Sequence, residues 1–145
     1  MNRSRAGVRH RRSERGAAAV EMALFLPILL FLVFGIIDFG RMLNAQITLT
    51  EAAREGARAE ALNQDPATRV SAATPNLSGV TWAYQNTSGS PGRRPSTPTA
   101  ADDAGIETRY TFKFVTPIAG IAVLFGGNFA GTVTLTGKGV MPCLA

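Results

Sequence analysis

The stretch "RRSERGAAAVEMALFLPILLFLVFGIIDFGR", Arg11 to Arg41, decides how the chain must be read. From Ala17 to Ile37 it holds a single charge, Glu21, and from Met22 to Ile37 none. A helix over those residues covers about 30 Å at about 1.5 Å per residue, which is the hydrocarbon thickness of a bilayer. Polar residues at every third or fourth position, the mark of a helix buried on one side, are missing. A helix buried on all sides would need a larger domain around it than this chain supplies. Residues 17–37 therefore read as a transmembrane helix.

The flanks give its direction. Of the fifteen Lys and Arg residues, six precede Gly16, against one acid, Glu14, so the basic leader 1–16 carries the whole formal charge of +5. Everything after it balances. The positive-inside rule then places the N-terminus in the cytoplasm and the C-terminal hundred residues outside. A basic run can also bind nucleic acid, but beside an apolar segment topology accounts for it, and no nucleic-acid partner is expected. "RRSER" lacks the apolar residues that follow the arginine pair of a twin-arginine export signal. The apolar run also exceeds the roughly 7–15 residues of a secretory signal, and no small-x-small cleavage site follows it.

Cysteine and histidine exclude whole classes of chemistry. Cys143 is the only Cys, so it has no intrachain partner; it either pairs between chains outside the cell or has no role. His10 is the only His and lies in the basic leader. No zinc or other metal site, cofactor site or Ser-His or Cys-His nucleophile can be assembled from them. No phosphate-cradling glycine loop is present. The nearest acid pair, Asp102 and Asp103, reads as a solvated turn. The chain does not read as an enzyme.

Glu21 has two readings. It lies one turn inside the apolar segment, where water and head groups reach it and the cost of a membrane charge is reduced. Alternatively, a cut after Gly16 would give Ala17 a new ammonium group and make Glu21 the fifth residue of the mature chain. In an assembly of parallel helices, one subunit's ammonium would then pair with a neighbour's carboxylate, two charges that burial forbids to stand alone.

A basic leader ending in Gly, four mostly small residues, Glu and an apolar helix together resemble the processing site of type IV prepilins and pseudopilins. Met22 departs from that pattern, which usually has an aromatic residue after the Glu. Over Glu14 to Ala61, the features Gly16, Glu21, Pro27, "GIIDFGR" (Gly35 to Arg41, with Asp38 and Gly40) and "EAAREGARA" (Glu51 to Ala59) resemble the TadE-like family of the tight-adherence, or Tad, pilus machinery. The resemblance implies a bacterial inner-membrane protein with a minor pseudopilin-type role in building or anchoring a Tad-type pilus or a related export system. It implies Gly16–Ala17 as a prepilin peptidase site, and other pilin-like or assembly subunits as partners beside membrane lipid. The competing reading is a permanently anchored single-pass envelope protein whose distal domain binds another surface component.

Beyond the membrane, residues 38–65 keep helical period and composition, and Pro66 bars much continuation. Ala53, Ala57 and Ala61 recur at every fourth position, as do Ala52 and Gly56, and such stripes let a neighbour approach closely. A stripe of this kind with Glu51, Arg54, Glu55 and Arg58 opposite reads first as a helix packed on its own domain, and second as a subunit contact. Glu51 with Arg54 and Glu55 with Arg58 have the spacing of weak ion pairs.

Residues 66–145 read as a small β-rich domain. Strands are expected over Ser78–Ser88, with Val80, Trp82 and Tyr84 on one face, over Ile106–Val115, and over Gly131–Val140. Residues 89–105, rich in Pro, Gly, Ser and Thr, read as a loop. The apolar segment 117–129 is too short to span a bilayer and reads as a short buried helix, a partner patch or a membrane-surface contact. Two sequon matches, at Asn76 and Asn86, read as chance. The expected fold class is α+β: a long transmembrane and stalk helix with a small antiparallel sheet packed on the stalk.

Overall fold

The structure is a computed structural model and describes residues 10–86, 92–99, 101–115, 126 and 131–143, with side chains from residue 16. The leader before His10, residues 87–91 of the expected first strand and loop, and segment 117–129 apart from Gly126 lie outside the described residues. The fold is α+β, a long helix followed by one antiparallel sheet. Helix α1 runs from His10 to Ala61, so it begins inside the leader rather than at Ala17. The chain divides into two compact units, Met1–Ile37 and Asp38–Ala145.

In the first unit most large apolar residues of α1 face no neighbour among the described residues. Val20, Met22, Leu24, Phe25, Ile28, Leu30 and Phe31 are all exposed, on every side of the helix. The helix is long and apolar enough to cross a membrane. Pro27 sits inside it and lacks the N–H that would bond the Ala23 carbonyl, a defect that transmembrane helices tolerate.

In the second unit α1 ends on a cap written in the sequence. Asn63 takes the left-handed conformation, φ 58°. Its N–H donates to the Glu60 carbonyl at 3.0 Å, and that of Gln64 to the Ala59 carbonyl at 2.8 Å. This pair of bonds closes the last turn as a Schellman motif. Asp65 then caps a second helix, α2 (Pro66–Ala73), by accepting from the backbone N–H groups of Ala67 and Thr68. Those bonds, with one from the Thr68 hydroxyl, hold the Asp65 carboxyl below its ordinary range. Helix α2 corrects the expectation that Pro66 only stops a helix; with Asp before it, the proline also starts one.

The sheet is a meander, β1 (Thr81–Tyr84), β2 (Asp103–Lys113) and β3 (Thr132–Pro142), in the order β1-β2-β3. Strand β1 is shorter than expected, and β2 begins inside the stretch read as a loop. There Gly92 turns back to the sheet, accepting from the N–H of Gly105 at 2.7 Å. The strands run along the helix. Arg41 lies over Phe112, Thr108 bonds the Leu49 carbonyl, and Ile106 lies against Gly56, so β2 descends as α1 rises.

The helix and sheet touch through small residues, and the contact tightens along α1. Near its start Ala45 and Leu49 pack on Phe112 and Leu135. Further on Ala52, Ala57 and Val70 enclose Ile106, and at the end Ala61 meets Ala104 and Cys143. On β3, a Cβ at Gly137 would overlap the Leu49 carbonyl, and one at Gly139 the Ala53 carbonyl. Gly56 is closed off from the other side by Val70 and Ile106. The small stripe of α1 thus packs on the chain's own domain.

Candidate functional site

The residues singled out from the sequence fall into three groups along α1. Gly16, Ala17 and Glu21 are exposed and lie within the helix. Nothing stands within 4 Å of where a Cβ on Gly16 would be. Pro27 is exposed and Gly35 half-buried. Glycine is the poorest helix former after proline, so local unwinding costs less at Gly16 than at the alanines that follow it.

The second group forms a staple. Asp38 is 1% exposed, and its Oδ1 accepts from Arg41 Nη1 at 3.2 Å and from the backbone N–H of Val115 at 3.4 Å. A carboxylate so buried requires such donors, since an unpaired buried charge is strongly disfavoured. The Arg41 guanidinium lies 5.4 Å from the Phe112 ring centre, an attractive placement for a cation over an aromatic face. Asp38 and Arg41 thereby tie the end of β2 to α1. Phe39 and Gly40, between them, face away and are exposed.

The third group divides by face. Gly56 is buried, whereas Glu51, Arg54, Glu55 and Arg58 are exposed. The ion pairs among the described residues are Arg41–Asp38, Arg109–Glu107 and Lys138–Glu107. The pairs expected for Glu51–Arg54 and Glu55–Arg58 are not among them. In open solvent such a pair gains too little to hold two long side chains in one geometry.

Two buried polar residues do not stand out in the sequence. The Thr108 hydroxyl, fully enclosed, donates to the Leu49 carbonyl at 2.9 Å. Glu60, 8% exposed, accepts from the Tyr84 hydroxyl at 3.3 Å and the Arg94 N–H at 3.0 Å. Burial, then the Glu60 carboxylate, push the Tyr84 hydroxyl above its ordinary pKa; Arg93 opposes them weakly. The signal for Glu60 was its place three residues after Ala57 on the small stripe. Thr108 had one as well, since it continues the inward-facing alternation of Ile106 and Tyr110.

Cys143 is buried against Ala61 and Ala104, and burial raises its thiol pKa. A thiol so placed is a poor nucleophile. Asp102 accepts from the Thr99 backbone and hydroxyl at 2.8 Å, closing a turn. Among the described residues no group of three or more His, Cys, Asp or Glu is placed to hold a metal. The clefts are shallow; the one between α2 and β1, lined in part by Val70, Thr74, Val80 and Trp82, has a volume of about 290 Å³.

The group that remains is the line from Gly16 to Arg58 along α1. Residues 16–58 match the family model described as TadE-like protein. The match covers just under a third of the chain and coincides with the residues that carry the resemblance in the sequence. The TadE-like segment is thus the exposed apolar span, the Asp38–Arg41 staple and the first faces of the helix on which the sheet lies. The sheet itself is outside it. No curated protein and no solved structure matches the chain.

Proposed function

We propose that the chain is a pilin-like, single-pass membrane protein that helps to assemble or anchor a Tad-type pilus or a related export system. The observation that carries this reading is the TadE-like match over 16–58, which takes in Gly16 and, five residues on, Glu21. The leader's charge of +5 supports an N-terminus in the cytoplasm of a bacterial inner membrane. Prepilin peptidase cuts between Gly16 and Ala17. The new Ala17 ammonium then pairs with Glu21 of a neighbouring pilin-like subunit, removing two charges from the cost of packing helices in lipid. The Asp38–Arg41 staple keeps the distal domain fixed at the foot of its helix while subunits assemble. The role is structural, and no step in it requires catalysis by this chain.

The test is the intact mass and N-terminal sequence of the protein from its native membrane, with and without prepilin peptidase. An N-terminus at Ala17 that depends on the peptidase is the expected result. An intact leader in both samples would overturn the pilin-like reading and leave a fixed single-span anchor, with Glu21 an interfacial residue. If the pairing is right, Glu21→Gln leaves membrane insertion intact but stops incorporation into the assembly.

A further inference from the structure

The sheet covers one side of α1 beyond Asp38, and among the described residues the other side has no neighbour. On that side Phe39, Leu43 and Ile47 follow one another at helical spacing, 57%, 48% and 59% exposed. Gly40 lies among them with nothing within 4 Å of where its Cβ would stand. Lipid does not account for them all. Ala17 to Ile37 already supplies the ~30 Å that hydrocarbon requires, and Ile47 comes about 15 Å further along a helix. Past Ile47 the helix carries Glu51, Arg54, Glu55 and Arg58, all exposed and in no ion pair among the described residues. Leu43, Glu51, Arg54 and Arg58 fall within about 40° of Ile47, while Phe39 and Glu55 lie about 80° off to opposite sides.

The order of these charges round the helix is self-complementary. At about 100° per residue, Arg54 falls about 20° to one side of Ile47, while Glu51 and Glu55 fall about 40° and 80° to the other. When two parallel helices meet at Ile47 about a two-fold axis along their length, one copy's glutamate side faces the other's arginine side. Along the axis Arg54 lies between Glu51 and Glu55, so each Arg54 meets the Glu51 carboxylate of the opposite copy near the seam and that of Glu55 at the rim. Arg58, a turn beyond, falls about 20° to the glutamate side, where its long stem lets the charge turn into water, away from the opposite Arg54.

We infer that the face centred on Ile47, from Leu43 to Arg58, pairs with the same face of a second copy of the chain anchored in the same membrane. Two half-exposed apolar side chains, Leu43 and Ile47, make a small patch against the ~1,200–2,000 Å² buried by a stable soluble complex. Confinement of both chains to one bilayer in one orientation supplies the missing effective concentration. The inference rests on the membrane-anchored part of the proposed function and not on cleavage at Gly16, so the uncut chain tests it.

The experiment uses the full chain with Cys143→Ala, in vesicles of phosphatidylethanolamine and phosphatidylglycerol at low protein-to-lipid ratio. Ile47→Cys is the reporter, Thr68→Cys on α2 the control, and copper phenanthroline the oxidant that joins two thiols with loss of two electrons and two protons. The expected result is a disulfide-linked homodimer from Ile47→Cys and little from Thr68→Cys. Adding Arg54→Glu lowers the yield about three- to tenfold, the effect of a few exposed ion pairs. Mixing that variant with a Glu51→Arg, Glu55→Arg copy restores the yield in the mixed pair, which also shows that both variants fold. Equal yields at the two reporter positions, or a yield indifferent to Arg54, would overturn the inference and assign the face to lipid or to a different subunit. Failure here leaves the cleavage result untouched, and failure of cleavage leaves this one untouched.

Discussion

Residues 16–37 and 38–61 belong to one hydrogen-bonded helix, yet they handle side-chain size in opposite ways. The first stretch carries Leu, Phe, Ile and Val on all sides, nearly all of them exposed among the described residues. The second turns Ala45, Ala52, Ala53, Gly56 and Ala57 to the sheet together with Leu49, and leaves Phe39, Leu43 and Ile47 on the outside. What differs is the neighbour. A surround of lipid chains places no demand on shape, so bulk serves. A sheet whose strands run along the helix must come close along its length, so where the backbones approach most, at Gly137 and Gly139 opposite Leu49 and Ala53, the sheet carries no side chain.

That contrast breaks most readily at the glycines. Gly137→Val drives two methyl groups into the Leu49 carbonyl, and it is expected to cost the distal domain more than about 3 kcal/mol, the upper range for overpacking. The fluorescence of Trp82, the only Trp, follows the domain's unfolding in detergent; an unchanged unfolding midpoint would mean that helix and sheet lie further apart than described here. Next comes a substitution confined to the apolar stretch. Leu29→Lys should weaken membrane insertion by about 3 kcal/mol and leave the Trp82 transition where it was, a separation read by carbonate extraction alongside the fluorescence.

At the border between the two stretches, Asp38→Asn keeps the shape but leaves Arg41 and the Val115 N–H with a weaker acceptor. A loss of about 1–3 kcal/mol is expected, below that of a wholly buried pair because Arg41 is half exposed. Smaller still is the effect of pH at the far end. Because the folded-state pKa of Tyr84 is raised, its contribution to stability is complete below the ordinary value of 10.0 and is lost as pH climbs through the folded value. Wild type should therefore soften above that pH relative to Tyr84→Phe, as seen in midpoints taken across the alkaline range. Last, Gly40→Ala, on the open side, should raise helix stability by up to about 1 kcal/mol, the reverse of the Gly137 result from the same kind of residue.

The parts of the fold that repeat were legible before the structure was known. The apolar run announced α1, alternation announced β2 and β3, and the Ala stripe announced a close neighbour. Helix α2 was missed because the proline at 66 was read only as a stop, although Asp65 before it supplies the cap that lets a new helix begin. The pairing of helix to sheet was not legible either. Gly137 and Gly139 look like weak points in a strand, and only the carbonyls of Leu49 and Ala53 behind them explain why no side chain is admitted. The residues of the candidate site were nameable from their pattern, but the burial of Asp38 was not, because the Val115 N–H whose bond it accepts is distant in sequence.

The placement of β3 also bears on how the domain comes into being. Gly137 meets Leu49 and Gly139 meets Ala53 across most of the chain's length, and β3 is synthesised after α1, β1 and β2. Contacts so distant in sequence form late, after the entropy of closing a long loop has been overcome. Until β3 docks, β2 has a bare edge and α1 an open strip of backbone, the kind of surface on which nascent chains aggregate or are caught by chaperones and proteases. A chain interrupted before Thr132 would present that surface permanently, open to aggregation and to proteases, whereas the docking of this single strand closes it.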